Sequence, residues 1–158
     1  ARLAARRCLA RGIGFSQGGA RGRSARSAAM GRYLIAWIPM IVLAVANGAL
    51  REAWLVPRLG EQAARQVSTL LLIAFLALYI AMVTRTWPIR SAAQALAIGA
   101  LWLVLTLVFE FALGRWVSGR SWREMLAEYD LGAGRLWALV PIWVAVAPYA
   151  FFRLRRAA

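Results

Sequence analysis

Glu110 is the residue of this 158-residue chain best placed to do chemistry, because it stands inside an apolar run long enough to cross a bilayer. An ionisable group in that setting is expensive and faces the bundle interior, where it suits proton or cation coupling or a buried ion pair. It lies seven residues past Leu103 at the middle of its run, so roughly 10 Å from the midplane of a helix. Ala95, Gly99, Thr106 and Glu110 share one helical face, and small residues there let a neighbouring backbone come close. On the first run, Asn47 and Arg51 share a face with Ala44. Runs one and three are parallel in an up-and-down arrangement, which puts Asn47, Arg51 and Glu110 at one depth. A guanidinium grips a carboxylate bidentately and always keeps its charge. Arg51–Glu110 is therefore the expected pair, with Arg115 competing, while Glu52 points about 100° away toward Arg65 or Arg135. A structural pair is preferred to a coupling site, because Glu110 is nearer an interface than the midplane where transporter sites lie. Such pairs supply specificity as often as stability.

The other polar residues form no catalytic set. Ser68, Thr84 and Thr106 read as helix hydroxyls bonded to the backbone. Asp130, beside Tyr129, reads as a helix-end residue rather than an acid or base. The chain has no histidine and one cysteine, which excludes a zinc, haem or iron–sulfur site, a Ser/His/Asp triad and a disulfide framework. No glycine-rich phosphate loop is present. No metal, no cofactor and no enzymatic activity are expected.

Hydrophobic residues make up 62% of the chain and charged ones 16%, against about half and a quarter in soluble domains. One water-soluble core of this size cannot hide that excess, so an integral membrane protein is expected. The 20 basic residues, all arginine, outnumber six acids and give a net charge of +14. Those arginines lie in loops and at chain ends flanking apolar runs, the distribution that anionic headgroups favour. The expected partner is the lipid bilayer, with a membrane protein or a second copy of the chain as further candidates, and not nucleic acid.

Four apolar runs, at about 33–50, 67–83, 92–113 and 136–152, are each long enough to cross a hydrocarbon core of ~30 Å. Backbone groups in lipid must be satisfied internally, and unalternated runs exclude a barrel, leaving four transmembrane helices. The predicted fold class is an all-α membrane protein, an up-and-down four-helix bundle. Pro39, Pro141 and Pro148 should kink their helices. Trp37, Trp54, Trp87, Trp116, Trp122 and Trp137 sit near run ends, as an aromatic belt does. Pro57 and Gly60 predict a turn-rich first loop, and Trp87-Pro88 a tight second one. In the third connection, Ser121-Trp122-Arg123-Glu124 fits a capping box. Trp122, Leu126 and Tyr129 then share a face, Arg123, Glu124 and Glu128 leave it, and Gly132 is a natural stop. A short amphipathic helix in the headgroup zone follows, built on Ser121, Trp122, Glu124, Tyr129 and Asp130.

Residues 1–29 contain seven arginines and no acid. They are either a transit-peptide-like leader or upstream sequence read in frame before Met30, and in both cases are expected to be disordered. Cys8 is a lipidation candidate only if that leader is native. The membrane domain is 30–158. Six arginines (Arg32, Arg85, Arg90, Arg153, Arg155, Arg156) fall on the side of the termini and seven on the other. That is nearly balanced, and the leader tips both termini to the cytoplasmic side.

The segments Asn47-Gly48-Ala49-Leu50-Arg51-Glu52, Phe109-Glu110-Phe111 and Ser121-Trp122 to Tyr129-Asp130 resemble those of small uncharacterised bacterial four-helix integral membrane proteins. The resemblance covers about Met30 to Arg156 and implies a multi-pass protein of the inner membrane, with no activity attached. In size the chain is also similar to small multidrug-resistance transporters, whose key glutamate lies in the first helix, where this chain has none. Two functions remain open: a non-enzymatic accessory or interaction component, or a small proton- or cation-coupled transporter using Glu110.

Overall fold

The computed structural model describes residues 15–130, 132 and 134–157, and among these every regular element is helical. Helix α1 spans Phe15–Leu50 and continues through a π turn, Arg51–Leu55, into the short α2, Val56–Leu59. Then come α3 (Glu61–Thr86), α4 (Ala92–Ala112) ending in a second π turn at Leu113–Val117, α5 (Trp122–Ala127), a 3-10 turn at Leu136–Ala138 and α6 (Leu139–Ala157). Four stretches are long and apolar enough to cross a membrane: Met30–Leu59, Glu61–Thr86, Ala92–Val117 and Leu136–Ala157.

The chain divides after Ile35 into two compact units. In the first, the expected disordered leader lies outside the described residues over 1–14, and from Phe15 the backbone is helical. The second unit, from Ala36 onward, carries the bundle.

The loop expected around Pro57 and Gly60 is a single residue. Pro57 has no amide proton and its ring crowds the carbonyl four residues back, which would break an α-helix. Here the helix widens instead, and the Val56 amide reaches back five residues to Arg51 O. Helical hydrogen bonding then runs on to Gly60, whose φ of 75° lets the chain reverse directly into α3. Pro39 and Pro148 lie inside helices, whereas Pro141 stands in the first turn of α6, where a missing amide costs nothing. At the second connection Ser91 Oγ accepts from the Gln94 amide at 3.1 Å, and Gln94 Oε1 accepts from the Arg90 amide at 2.9 Å.

The core runs along α3, α4 and α6 through Leu72, Leu76, Ile80, Ile98, Trp102 and Val144, all essentially without exposure. The closest approach is at Gly99, where an added Cβ would lie 2.0 Å from Ala145 O on α6. Of the small-residue face predicted for the third run, Ala95 and Gly99 thus form a packing seam, whereas Thr106 and Glu110 line a cavity. Helices α3 and α6 are parallel: Gln66 Nε2 donates to Gly134 O at one end, and Arg155 donates to Thr84 O at the other. Helix α1 touches its neighbours at few points, among them Tyr79 Oη to Ala36 O at 2.8 Å and Trp37 Nε1 to Thr106 Oγ1 at 3.2 Å. Outward faces are apolar, with Val45, Leu78 and Val108 exposed.

Candidate functional site

Because α1 is held near Trp37 and again at the Gly60 turn, a cavity of about 950 Å³ opens between it and the other long helices. That is large enough for a drug-sized ligand. One part is apolar, lined by Met40, Ile41, Leu76, Phe109, Val140 and Val144; the other is polar and takes in Asn47, Thr106 and Glu110. The connection between α4 and α6 closes the polar end with Ser118, Arg120, Glu128 and Arg135.

Glu110 is half-buried and accepts hydrogen bonds from the phenol of Tyr129 and the indole of Trp137. It makes no ion pair with any described residue. The expected Arg51–Glu110 pair is therefore corrected. Arg51 turns to its neighbour Glu52, donating from Nε at 3.1 Å and Nη2 at 3.0 Å to the same carboxylate oxygen. The reason is register. Trp37 is level with Thr106; Arg51 lies 14 residues beyond Trp37 and Glu110 only four beyond Thr106. Arg51 therefore stands farther toward the Gly60 turn than Glu110 does along its own helix. Arg115 is exposed and stands outside the cavity lining. Glu52, expected near Arg65 or Arg135, has Arg51 instead. Asn47 lines the cavity with its residue 7% exposed, and its amide oxygen is buried without a partner among the described residues. Of the five residues expected to cluster, four line one cavity, but they do not form one hydrogen-bonded group.

The capping box is present as expected: the Ser121 amide donates to Glu124 Oε2 at 2.7 Å, and the Glu124 amide donates to Ser121 Oγ at 3.3 Å. The Ser121 amide first, and next its hydroxyl, which donates to the same Glu124 oxygen at 2.9 Å, hold the Glu124 carboxyl below its ordinary range. The face differs in part. Met125 is buried and Leu126 exposed, because Gly114 leaves room for the Met125 thioether, which an added Cβ would meet at 2.6 Å. Trp122 and Tyr129 both stack on Phe111, with ring centroids 5.9 and 6.2 Å away. Asp130 accepts from the Gly132 amide at 3.0 Å and is a helix-end residue.

Arg65, expected only as a partner for Glu52, and Arg120 and Trp137, expected in no site, take other roles here. Arg65 bridges Glu61 on its own helix and Glu128 across the cavity at 3.0 Å, and Arg120 reaches the same Glu128 oxygen at 2.9 Å. Burial pushes the Glu128 carboxyl up, but Arg120 and Arg65 together outweigh it and hold it below the usual carboxylate range. Burial, then the bond to Glu110, pushes the Tyr129 phenol well above the ordinary tyrosine range. The signal for Arg65 was in the sequence: Gln62, Arg65, Gln66 and Thr69 form a polar stripe at helical spacing. Trp137 had no comparable signal, since it fits the aromatic belt equally well.

No protein-family model, no curated protein and no solved structure matches the chain.

Proposed function

We propose that this is a multi-pass protein of a bacterial inner membrane that is not an enzyme and that holds a small ligand in the cavity beside α1. In that role Glu110 exchanges a proton for a ligand group, as in a small proton- or cation-coupled transporter. The observation that carries the proposal is a half-buried carboxylate facing a large cavity with neutral donors, Tyr129 and Trp137, and no arginine paired with it among the described residues. A carboxylate that served only to hold helices in register would be paired. In this proposal both termini lie on the cytoplasmic side, and α5 rests in the headgroup zone with Trp122 outermost.

A second reading keeps the protein as an accessory or interaction component, alone or as a homo-oligomer. Its support is that Tyr129 and Trp137 tie Glu110 to the α4–α6 connection, a structural role in itself.

Carbodiimide labelling in proteoliposomes separates the two. Dicyclohexylcarbodiimide enters membranes and reacts with protonated carboxyl groups. Peptide mapping should find Glu110 labelled, with labelling that falls as pH rises; Tyr129, bonded to it, and Arg120 and Glu128 are the titratable and charged groups that line a small pocket with it. If Glu110 stays unlabelled in the folded protein at every pH, it is a closed structural group and the accessory role stands.

A further inference from the structure

The cavity's charges can be matched almost completely. Four arginines and five glutamates line it. Arg51 and Glu52 neutralise one another, and Arg65 and Arg120 are spent on Glu61 and Glu128. Glu124 is committed to the Ser121 capping box at the surface. Two opposite charges remain without an ionic partner among the described residues: Glu110, and Arg135, which follows Gly134 at the cavity's polar end and lies two residues before Trp137. Trp137 itself donates to Glu110, so an unmatched anion and an unmatched, exposed cation line the same cavity, whose other end is apolar.

From this we infer that the cavity takes a zwitterionic amphiphile: an ammonium group on Glu110, an adjoining phosphate or carboxylate on Arg135, and an apolar chain against Met40, Ile41, Phe109 and Val144. A purely cationic ligand leaves Arg135 unused, and a purely anionic one places a like charge beside Glu110. Guanidinium binds phosphate and carboxylate bidentately, and a carboxylate with two neutral donors keeps lone pairs for an ammonium. The apolar lining and the sparse packing of α1 favour entry from the bilayer, so the source is a membrane lipid of the phosphatidylethanolamine class rather than a dissolved zwitterion. The inference rests on the cavity being a ligand site, as proposed above, and names what occupies it.

The test uses the full chain purified in mild detergent, with native mass spectrometry to read retained lipid. The probes are short-chain phosphatidylethanolamine, phosphatidylglycerol with the same chains, and phosphoethanolamine without chains. Phosphatidylethanolamine should be retained at least about tenfold better than phosphatidylglycerol, the factor expected of one charge-assisted hydrogen bond. Glu110→Gln should erase that preference, Arg135→Gln should weaken both lipids, and Arg135→Lys should restore most of the binding. Equal retention of the two lipids by the wild-type chain overturns the inference without recourse to any variant. A preference that survives Glu110→Gln also overturns it. Retention of phosphoethanolamine as tight as that of the lipid overturns the lipid source. Carbodiimide labelling of Glu110 with no lipid retained leaves the cavity proposal standing and removes the zwitterion; neither labelling nor retention removes both.

Discussion

Replacing Gly99 by alanine tests the packing that holds the cavity's rigid wall. The new Cβ would lie 2.0 Å from the carbonyl oxygen of Ala145, where ordinary contact begins at 3.4 Å. The oxygen is backbone and a Cβ is fixed rigidly to its own Cα, both in the middle of long helices, so no side-chain rotation relieves the clash. Helices α4 and α6 must part by roughly 1.4 Å at that level, and a gap of about 0.5–1 Å already forfeits a quarter to a half of a contact's attraction. The seam that opens includes Ala95, Ile98 and Trp102 on one side and Val144 and Ala147 on the other, all buried. Overpacking costs about 1–3 kcal/mol and sometimes more, while the alanine recovers up to about 1 kcal/mol of helix propensity. A net loss of about 2 kcal/mol is expected, and a larger one for Gly99→Val. Gly48→Ala is the control, since its Cβ would meet nothing within 4 Å and should be neutral or slightly stabilising. Unfolding by a denaturing detergent, followed by circular dichroism in mixed micelles, reads both. Gly99→Ala as stable as Gly48→Ala would refute the close approach of α4 to α6.

Three further outcomes are expected. In double-mutant cycles Arg51→Ala and Glu110→Gln should add within about 0.5 kcal/mol, whereas Tyr129→Phe and Glu110→Gln should couple by about 1–2 kcal/mol; coupling of the first pair would restore the partnership that the register argues against. Glu128 is held below its unfolded value near 4.3, so its contribution is fully present above that pH and is lost as acid passes through the lowered folded value; in acid unfolding curves Glu128→Gln should flatten that part of the pH dependence, and an unchanged curve would show that the arginines do not hold it. Ser121→Ala should cost about 1 kcal/mol locally, read as a change in Trp122 emission in an otherwise Trp-free variant, since Trp122 opens α5 and stacks on Phe111.

Much of the architecture was legible because it is decided by local or one-dimensional facts. Four apolar runs give four long helices, and Ser121 with Glu124 gives a capping box, whose geometry depends on four consecutive residues alone. The same logic was available at Ser91 and Gln94, where an identical spacing marks the start of α4. Tertiary register was not legible. Equal depth for Arg51 and Glu110 follows from counting along ideal parallel helices, but the level at which Trp37 meets Thr106 shifts one helix against the other. Pro57 misled for a related reason. A proline after an apolar run ordinarily announces a loop, yet a π turn accommodates its ring and lets the helix run on to Gly60. The cavity itself is a property of how α1 stands away from three packed helices, and no single residue encodes it.

The one-residue connection at Gly60 has a mechanical meaning. From that residue to Trp37 the helix extends 23 residues, or about 35 Å, a long arm fixed by torsion at Gly60 and by hydrogen bonds at its far end. A rotation of about 5° at Gly60 carries the far end of the arm through about 3 Å, enough to alter the aperture by most of a methylene chain's width. The arm's stiffness there resides in two backbone dihedrals, and a φ of 75° belongs to a region in which only glycine moves freely. A swing of that size would have to break the Trp37–Thr106 and Tyr79–Ala36 hydrogen bonds, so those two bonds and the Gly60 torsion together set the opening, without melting a helix or unpacking the seam at Gly99.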